Sequence, residues 1–151
     1  MLQRRPLMFA NLDEIMPDVE HLLLGHVAVG NWSLGQVCRH LTKVLRFTIE
    51  GSPEPGPHVL NERARSVMKR RLFSSGVMRS GIDVPGSPLP EPTAELNDQV
   101  EADNLRQSIH AFLVHPGSFA AHPLLGVLDT AEAHRFQCVH SAHHLSHLIP
   151  A

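Results

Sequence analysis

The 151-residue chain is 42% apolar and 19% charged, a balance that excludes wholesale disorder and predicts a single globular domain over 1–151. A net charge of −2 and a pI near 6.6 supply no general basic field, so no nucleic-acid partner is expected. Apolar stretches near the front, such as Leu22-Leu23-Leu24, are short, and Asp13 and Glu14 interrupt the opening before a leader-type apolar core can form. The expectations are therefore no membrane association and a cytoplasmic location.

Taken in order, four segments carry apolar residues at helical spacing. The first covers about 12 to 26, with Leu12, Ile15, Met16, Val19, Leu22, Leu23 and His26 on one side. Asn11 and Glu14 suit a capping box at its start, and Pro17 implies a kink or a helix that begins only there. The second runs from about 34 to 49, capped by Ser33 with Gln36, its buried stripe formed by Leu34, Val37, Leu41, Val44 and Leu45. The third covers about 94 to 114, opened by Thr93 and ended by Pro116-Gly117, with Ala102, Leu105, Ile109, Phe112 and Leu113 inward; Leu96 and Val100 fit that stripe less well. The fourth runs from about 130 to 148, capped by Asp129 with Glu132 and stopped by Pro150. No stretch alternates with period two, so no sheet is expected.

Residues 51 to 92 differ from the rest. They hold seven of the twelve prolines and five of the ten glycines, which makes this stretch a connection rather than a bundle element. Within it, about 59 to 75 can form one extra helix through Leu60, Ala64, Val67, Met68 and Leu72. A crossover of this length lets the second and third main helices run parallel. The predicted fold class is therefore all-α, a four-helix bundle with a long crossover containing an extra helix between helices 2 and 3. Arg63, Arg65, Lys69, Arg70, Arg71 and Arg79 gather on or beside that extra helix, either as a solvated face or as a patch attracting an anionic substrate or cofactor tail.

Histidine is the outlier in composition. Twelve histidines are roughly three to four times ordinary usage, and five of them (His134, His140, His143, His144 and His147) crowd the last predicted helix. Two histidines at i and i+4 share a helical face and can grip one ion. His140/His144 and His143/His147 both meet that condition. His40, beside the Val37, Leu41 and Val44 stripe of a facing helix, is the obvious third donor. Three imidazoles leave one or more positions open, the ligand count of a catalytic rather than a structural site. Cys38 and Cys138 each sit two residues before such a histidine, which turns them to the opposite side as small buried hydrophobes.

The segment from Gly30-Asn31-Trp32-Ser33-Leu34-Gly35-Gln36 to His40-Leu41 resembles the "nWs.gq…HL" opening of helix two in the DinB-like (YfiT-type) superfamily of metalloenzymes. His122-Pro123-Leu124-Leu125-Gly126 followed by His140-Ser141-Ala142-His143-His144-Leu145 is similar to its "HP.fG…H…HHL" signature. Leu12-Asp13-Glu14-Ile15 and Gly81-Ile82-Asp83-Val84-Pro85 are similar to an uncharacterised branch, a domain of unknown function. The resemblance implies a bundle with parallel second and third helices and a divalent metal, zinc or nickel, held by His40, His140 and His144 rather than by the 143/147 pair. Where that superfamily often continues with Arg and Gln after "HHL", this chain has Ser146-His147.

The resemblance further implies a metal-dependent enzyme acting on a small-molecule substrate, either a transferase using a low-molecular-weight thiol (glutathione, mycothiol or bacillithiol in relatives) or a hydrolase. The alternatives are a non-catalytic metal- or ligand-binding bundle and a metal-sequestering protein using its histidine-rich end. Glu101, Asp103 and His110 on the third segment and Asp18 and His21 on the first are acid–base candidates, each against a reading as a solvated charge. His122 and His115 precede prolines in loops, and His122 can border the pocket. Trp32 either packs at the mouth of the second helix or lines the cavity. A homodimer is a further expectation.

Overall fold

The computed structural model describes residues 3–51, 61–78 and 95–151. A 3-10 turn, Leu12–Glu14, leads directly into α1 (Ile15–Leu23). Pro17 is the third residue of α1, in the first turn, where its missing N–H removes no intrahelical bond. The start is capped differently from the predicted box. The Asn11 side chain accepts from the Asp13 N–H, and Glu14 reaches back to the N–H of Ala10, one residue earlier than expected.

α2 (Leu34–Glu50) carries the predicted capping box, with Ser33 and Gln36 each accepting from the other's backbone N–H. α3 (Glu62–Ser75) is the extra helix of the crossover. It buries none of its residues fully, although Met68, Leu72 and Phe73 pack against the core. α4 (Asp98–Val114) starts at an Asn97 cap; the Thr93 start, the Gly81–Pro85 turn, Leu60 and Arg79 lie outside the described residues. α5 (Thr130–Leu145) has the Asp129/Glu132 capping box.

Two predicted boundaries give way to a small sheet. β1 (His26–Ala28) pairs antiparallel with β2 (Leu148–Pro150), in the register His26↔Pro150, Val27↔Ile149 and Ala28↔Leu148. His26 therefore leaves the first helix, and α5 stops at Leu145 instead of reaching 148. Three-residue strands are too short to show an alternating pattern, which is why periodicity missed them. Two flanking bonds, Val29 N–H to His147 O and Ala151 N–H to Gly25 O, continue the pairing at both ends. The arm before α1 ties to the same region: Arg5 bonds both carboxylate oxygens of Asp18 at 2.8 and 2.9 Å and the carbonyl of Leu145.

Helix directions follow from the cross-links. Gly35 N–H to Asp98, Arg39 to Glu101 and Arg46 to Ser108 join α2 and α4 at separations of 63, 62 and 62 residues. A constant offset means the two helices run parallel, as the long crossover allows. The links from α2 to α5 pair Thr48 with Gln137 and His40 with His140, so numbers fall on one helix as they rise on the other and these two are antiparallel. α2 and α4 approach closely at Gly35, where a Cβ would meet Asp98 Oδ1 and Leu96 Cβ at 3.0 Å each. The core draws Ile15, Leu22, Leu34, Leu41, Leu45, Leu105, Phe112 and Leu145 from all four main helices. Among the described residues, no helix is long and apolar enough to cross a membrane.

Candidate metal centre

The amphipathic pattern of α2 turns His40 inward with Val37 and Leu41, and the ring is 2% exposed. On α5, His140 is buried and His144 half-buried one turn later. Nε2 of His140 lies 3.2 Å from Nε2 of His40 and 3.1 Å from Nε2 of His144. Two ligands about 2.0–2.1 Å from a tetrahedral zinc stand roughly 3.3 Å apart, so these spacings are those of a shared cation. His40, His140 and His144 are the one group of histidine, cysteine, aspartate and glutamate side chains that could hold a metal ion among the described residues.

Electrostatics favours lone pairs over protons here. Burial, then the neighbouring imidazoles, pushes His140 well below the ordinary histidine range, and burial lowers His144 to about 2. Both rings are therefore neutral at physiological pH, the protonation state that ligation needs. Without an ion, the cluster is poorly satisfied. One Nε2 faces two others at contact distance and can bond well to only one, while Nδ1 of His140 is buried with no hydrogen-bond partner among the described residues. A divalent cation would accept all three lone pairs at once, so the residues present fit the group the sequence suggests.

Other histidines have local duties. Nδ1 of His143 lies 3.1 Å from Arg4 Nη1 and 3.1 Å from the Met78 carbonyl oxygen, away from the cluster. Burial, then the Arg4 charge, lowers it to about 4. His147 donates from Nδ1 to the His143 carbonyl, so the 143/147 pair does not converge on an ion. Nδ1 of His122 accepts the N–H groups of both Leu124 and Leu125 at 3.0 Å, which places its proton on Nε2. The His122 ring meets Phe136 edge-on at 4.6 Å, and Phe136 stacks on His140. His122 thus borders the centre through an intervening ring.

Burial lowers His122 to about 4, with a consequence for acid stability. The unfolded chain takes up a proton near pH 6.5, whereas the folded one does so only near pH 4. The folded state therefore loses up to about 3 kcal/mol from this group as pH falls through that window, and nothing above it. In metal-free protein, His122→Asn keeps an acceptor for the two N–H groups and removes the titration. Its stability relative to wild type should rise by about that amount between pH 7 and pH 4.5 in urea unfolding; an unchanged difference refutes the assignment.

The acid–base candidates stand elsewhere. Glu101 is buried, which the reading as a solvated charge did not anticipate, and bonds Arg39 at 2.7 Å. Asp18 is held by Arg5, Asp103 accepts from Gln99, and His21 and His110 are exposed. Cys38 and Cys138 are buried free thiols outside the cluster. Burial, with Asp98 and Glu101 adding to it, pushes Cys38 up to about 12. On the crossover helix, Lys69 pairs with Glu132, while Arg70 and Arg71 flank an open cavity of about 470 Å³ with Val67 and Ser74.

Two aromatic residues flank the centre, and of these the sequence reading weighed only Trp32, as packing at the mouth of the second helix or lining the cavity. Trp32 stacks on His144 with centroids 5.1 Å apart and planes 12° from parallel, and it also meets His40 at 5.2 Å. Phe136 lies four residues before His140, so its position in the row 136, 140, 144 was readable from the sequence. Comparison with known families gives a match to a protein of unknown function (DUF1569) over residues 1–151. No curated protein and no solved structure matches.

Proposed function

This chain belongs to the DUF1569 family, and we propose that it is a divalent-metal-dependent enzyme of the DinB-like kind, holding zinc or nickel through Nε2 of His40, His140 and His144. The observation that carries this reading is the approach of His140 Nε2 to the Nε2 atoms of His40 and His144 at 3.2 and 3.1 Å, with one ligand atom of each ring within 4.8 Å of the others. No thiol or carboxylate of the described residues joins them, which leaves room for an exogenous ligand. Once bound, a cation there supplies Lewis acidity and lowers the pKa of a thiol or water that meets it.

The favoured reaction is transfer of a low-molecular-weight thiol to a small electrophile, with hydrolysis second. Water attack is ordinarily assisted by a positioned general base, and the carboxylates that might serve, Glu101 and Asp18, are each committed to an arginine. A thiol needs no such partner once its proton is made acidic. The neutral rings of His140 and His144 would orient the ion, with Phe136 stacked on His140 and Trp32 on His144.

Metal analysis of protein purified without a histidine tag tests the centre. One tightly held zinc or nickel per chain is the expected result, and no tight ion overturns it. Several weak ions indicate metal sequestration by the histidine-rich helix. A panel of thiols and alkylating electrophiles, followed by loss of free thiol, tests the reaction. A tightly loaded protein that turns over neither these nor esters is instead a binding protein.

A further inference from the structure

Ligand imidazoles are ordinarily oriented by a hydrogen bond from the ring nitrogen that does not face the metal. The two α5 rings lack this support. Nδ1 of His140 is buried without an acceptor, and Nδ1 of His144 takes no partner from the described residues. Each ring lies instead almost parallel to an aromatic neighbour. His140 rests on Phe136 at 5.3 Å and 13°, and His144 rests on Trp32 at 5.1 Å and 12°. His40, by contrast, meets Trp32, His140 and His144 at steep angles of 59°, 59° and 70°.

The two stacking partners come from different parts of the chain. Phe136 is one turn before His140 on the same helix, and Trp32 arrives from the loop just before the Ser33 cap of α2. Each lies against one imidazole plane, and the two imidazole planes stand 86° apart with their Nε2 atoms 3.1 Å apart. Offset ring stacking at these distances is directional as well as apolar, so it can hold a ring plane where a branched aliphatic side chain cannot.

On the metal-binding reading above, we propose that Phe136 and Trp32 are the positioning residues of the centre, orienting His140 and His144 by ring stacking in place of the usual hydrogen bond from Nδ1. The rings then gain no negative character from an acceptor behind them. Two of the three donors then stay neutral, and the open position of a bound dication prefers an anionic ligand such as a thiolate or azide.

The full-length chain tests this with Co²⁺ and Zn²⁺, using competition against a chelator for affinity and the visible Co²⁺ absorption bands for ligand geometry. Phe136→Leu and Trp32→Leu should each weaken metal binding about 10-fold or more and shift the Co²⁺ bands. Phe136→Tyr and Trp32→Phe, which keep a ring, should restore both readouts. Azide should bind the Co²⁺ form more tightly than neutral imidazole.

Leucine variants that bind Co²⁺ with wild-type affinity and spectrum overturn the proposal, as do aromatic variants that rescue nothing. Should Phe136→Leu fail to fold, half-buried Trp32 decides the matter alone. Loss of Co²⁺ binding by the wild type would overturn the metal centre itself, a result separate from equal binding by all variants.

Discussion

Changing His140 to alanine is expected to reduce retained metal from one ion per chain to less than a tenth of that, while His143→Ala leaves it unchanged. His140 is the ring whose Nε2 approaches both other Nε2 atoms, at 3.2 and 3.1 Å, so its removal leaves two donors too weakly linked to hold an ion. The neighbouring His143 is engaged with Arg4 and Met78. Bound metal also stabilises the fold by mass action, by about 4 kcal/mol when the free ion stands a thousandfold above Kd. For a chain of this size that corresponds to a Tm difference on the order of 10 °C between loaded wild type and the variant. With a chelator present the gap should largely close, because the cavity left by the ring is offset by loss of the orphaned Nδ1. Elemental analysis and calorimetry check both halves; equal metal retention by His140→Ala and wild type would contradict the assignment of this ring.

Phe112→Ala should be the most damaging single truncation in the core. The side chain is fully buried and stacks on Phe119 at 4.6 Å, with His134 against its other contacts. Losses of 3–5 kcal/mol are usual for such a change, a large part of the 5–15 kcal/mol that holds an ordinary domain together. Leu113, its neighbour, is 41% exposed, and Leu113→Ala should cost about 1 kcal/mol or less. Urea unfolding of the two variants therefore tests which face of α4 is inward. Similar losses at both positions would mean that the helix is rotated from the described packing.

Much of the bundle was legible because its signals are local. Ser33 with Gln36 and Asp129 with Glu132 announce helix starts within four residues, and the stripe of α2 points His40 inward without reference to any other segment. The parallel course of α2 and α4 was permitted by the length of the connection and implied by the family resemblance. What stayed hidden depends on partners distant in sequence. Glu101 reads as an ordinary acidic residue of a first helical turn, and only Arg39, 62 positions earlier, explains its burial. The strands His26–Ala28 and Leu148–Pro150 exist because they meet each other, and neither is long enough to declare itself. The three candidate ligands were nameable, but the stacking of Trp32 on His144 joins positions that no periodicity connects.

The two halves of the candidate metal site are expected to form at different stages of folding. His140 and His144 become neighbours as soon as α5 winds, an event of roughly a microsecond for a helix of this size. His40 lies 100 residues from His140 and reaches it only when a very long loop has closed, a step whose entropic cost slows folds rich in distant contacts. A metal ion captured during refolding would therefore be held first by a weak bidentate clasp on one helix, and would gain its third bond only when α2 docks. On the proposed metal-binding reading, tight retention of an ion would thus report the docking of α2 against α5 rather than the winding of α5.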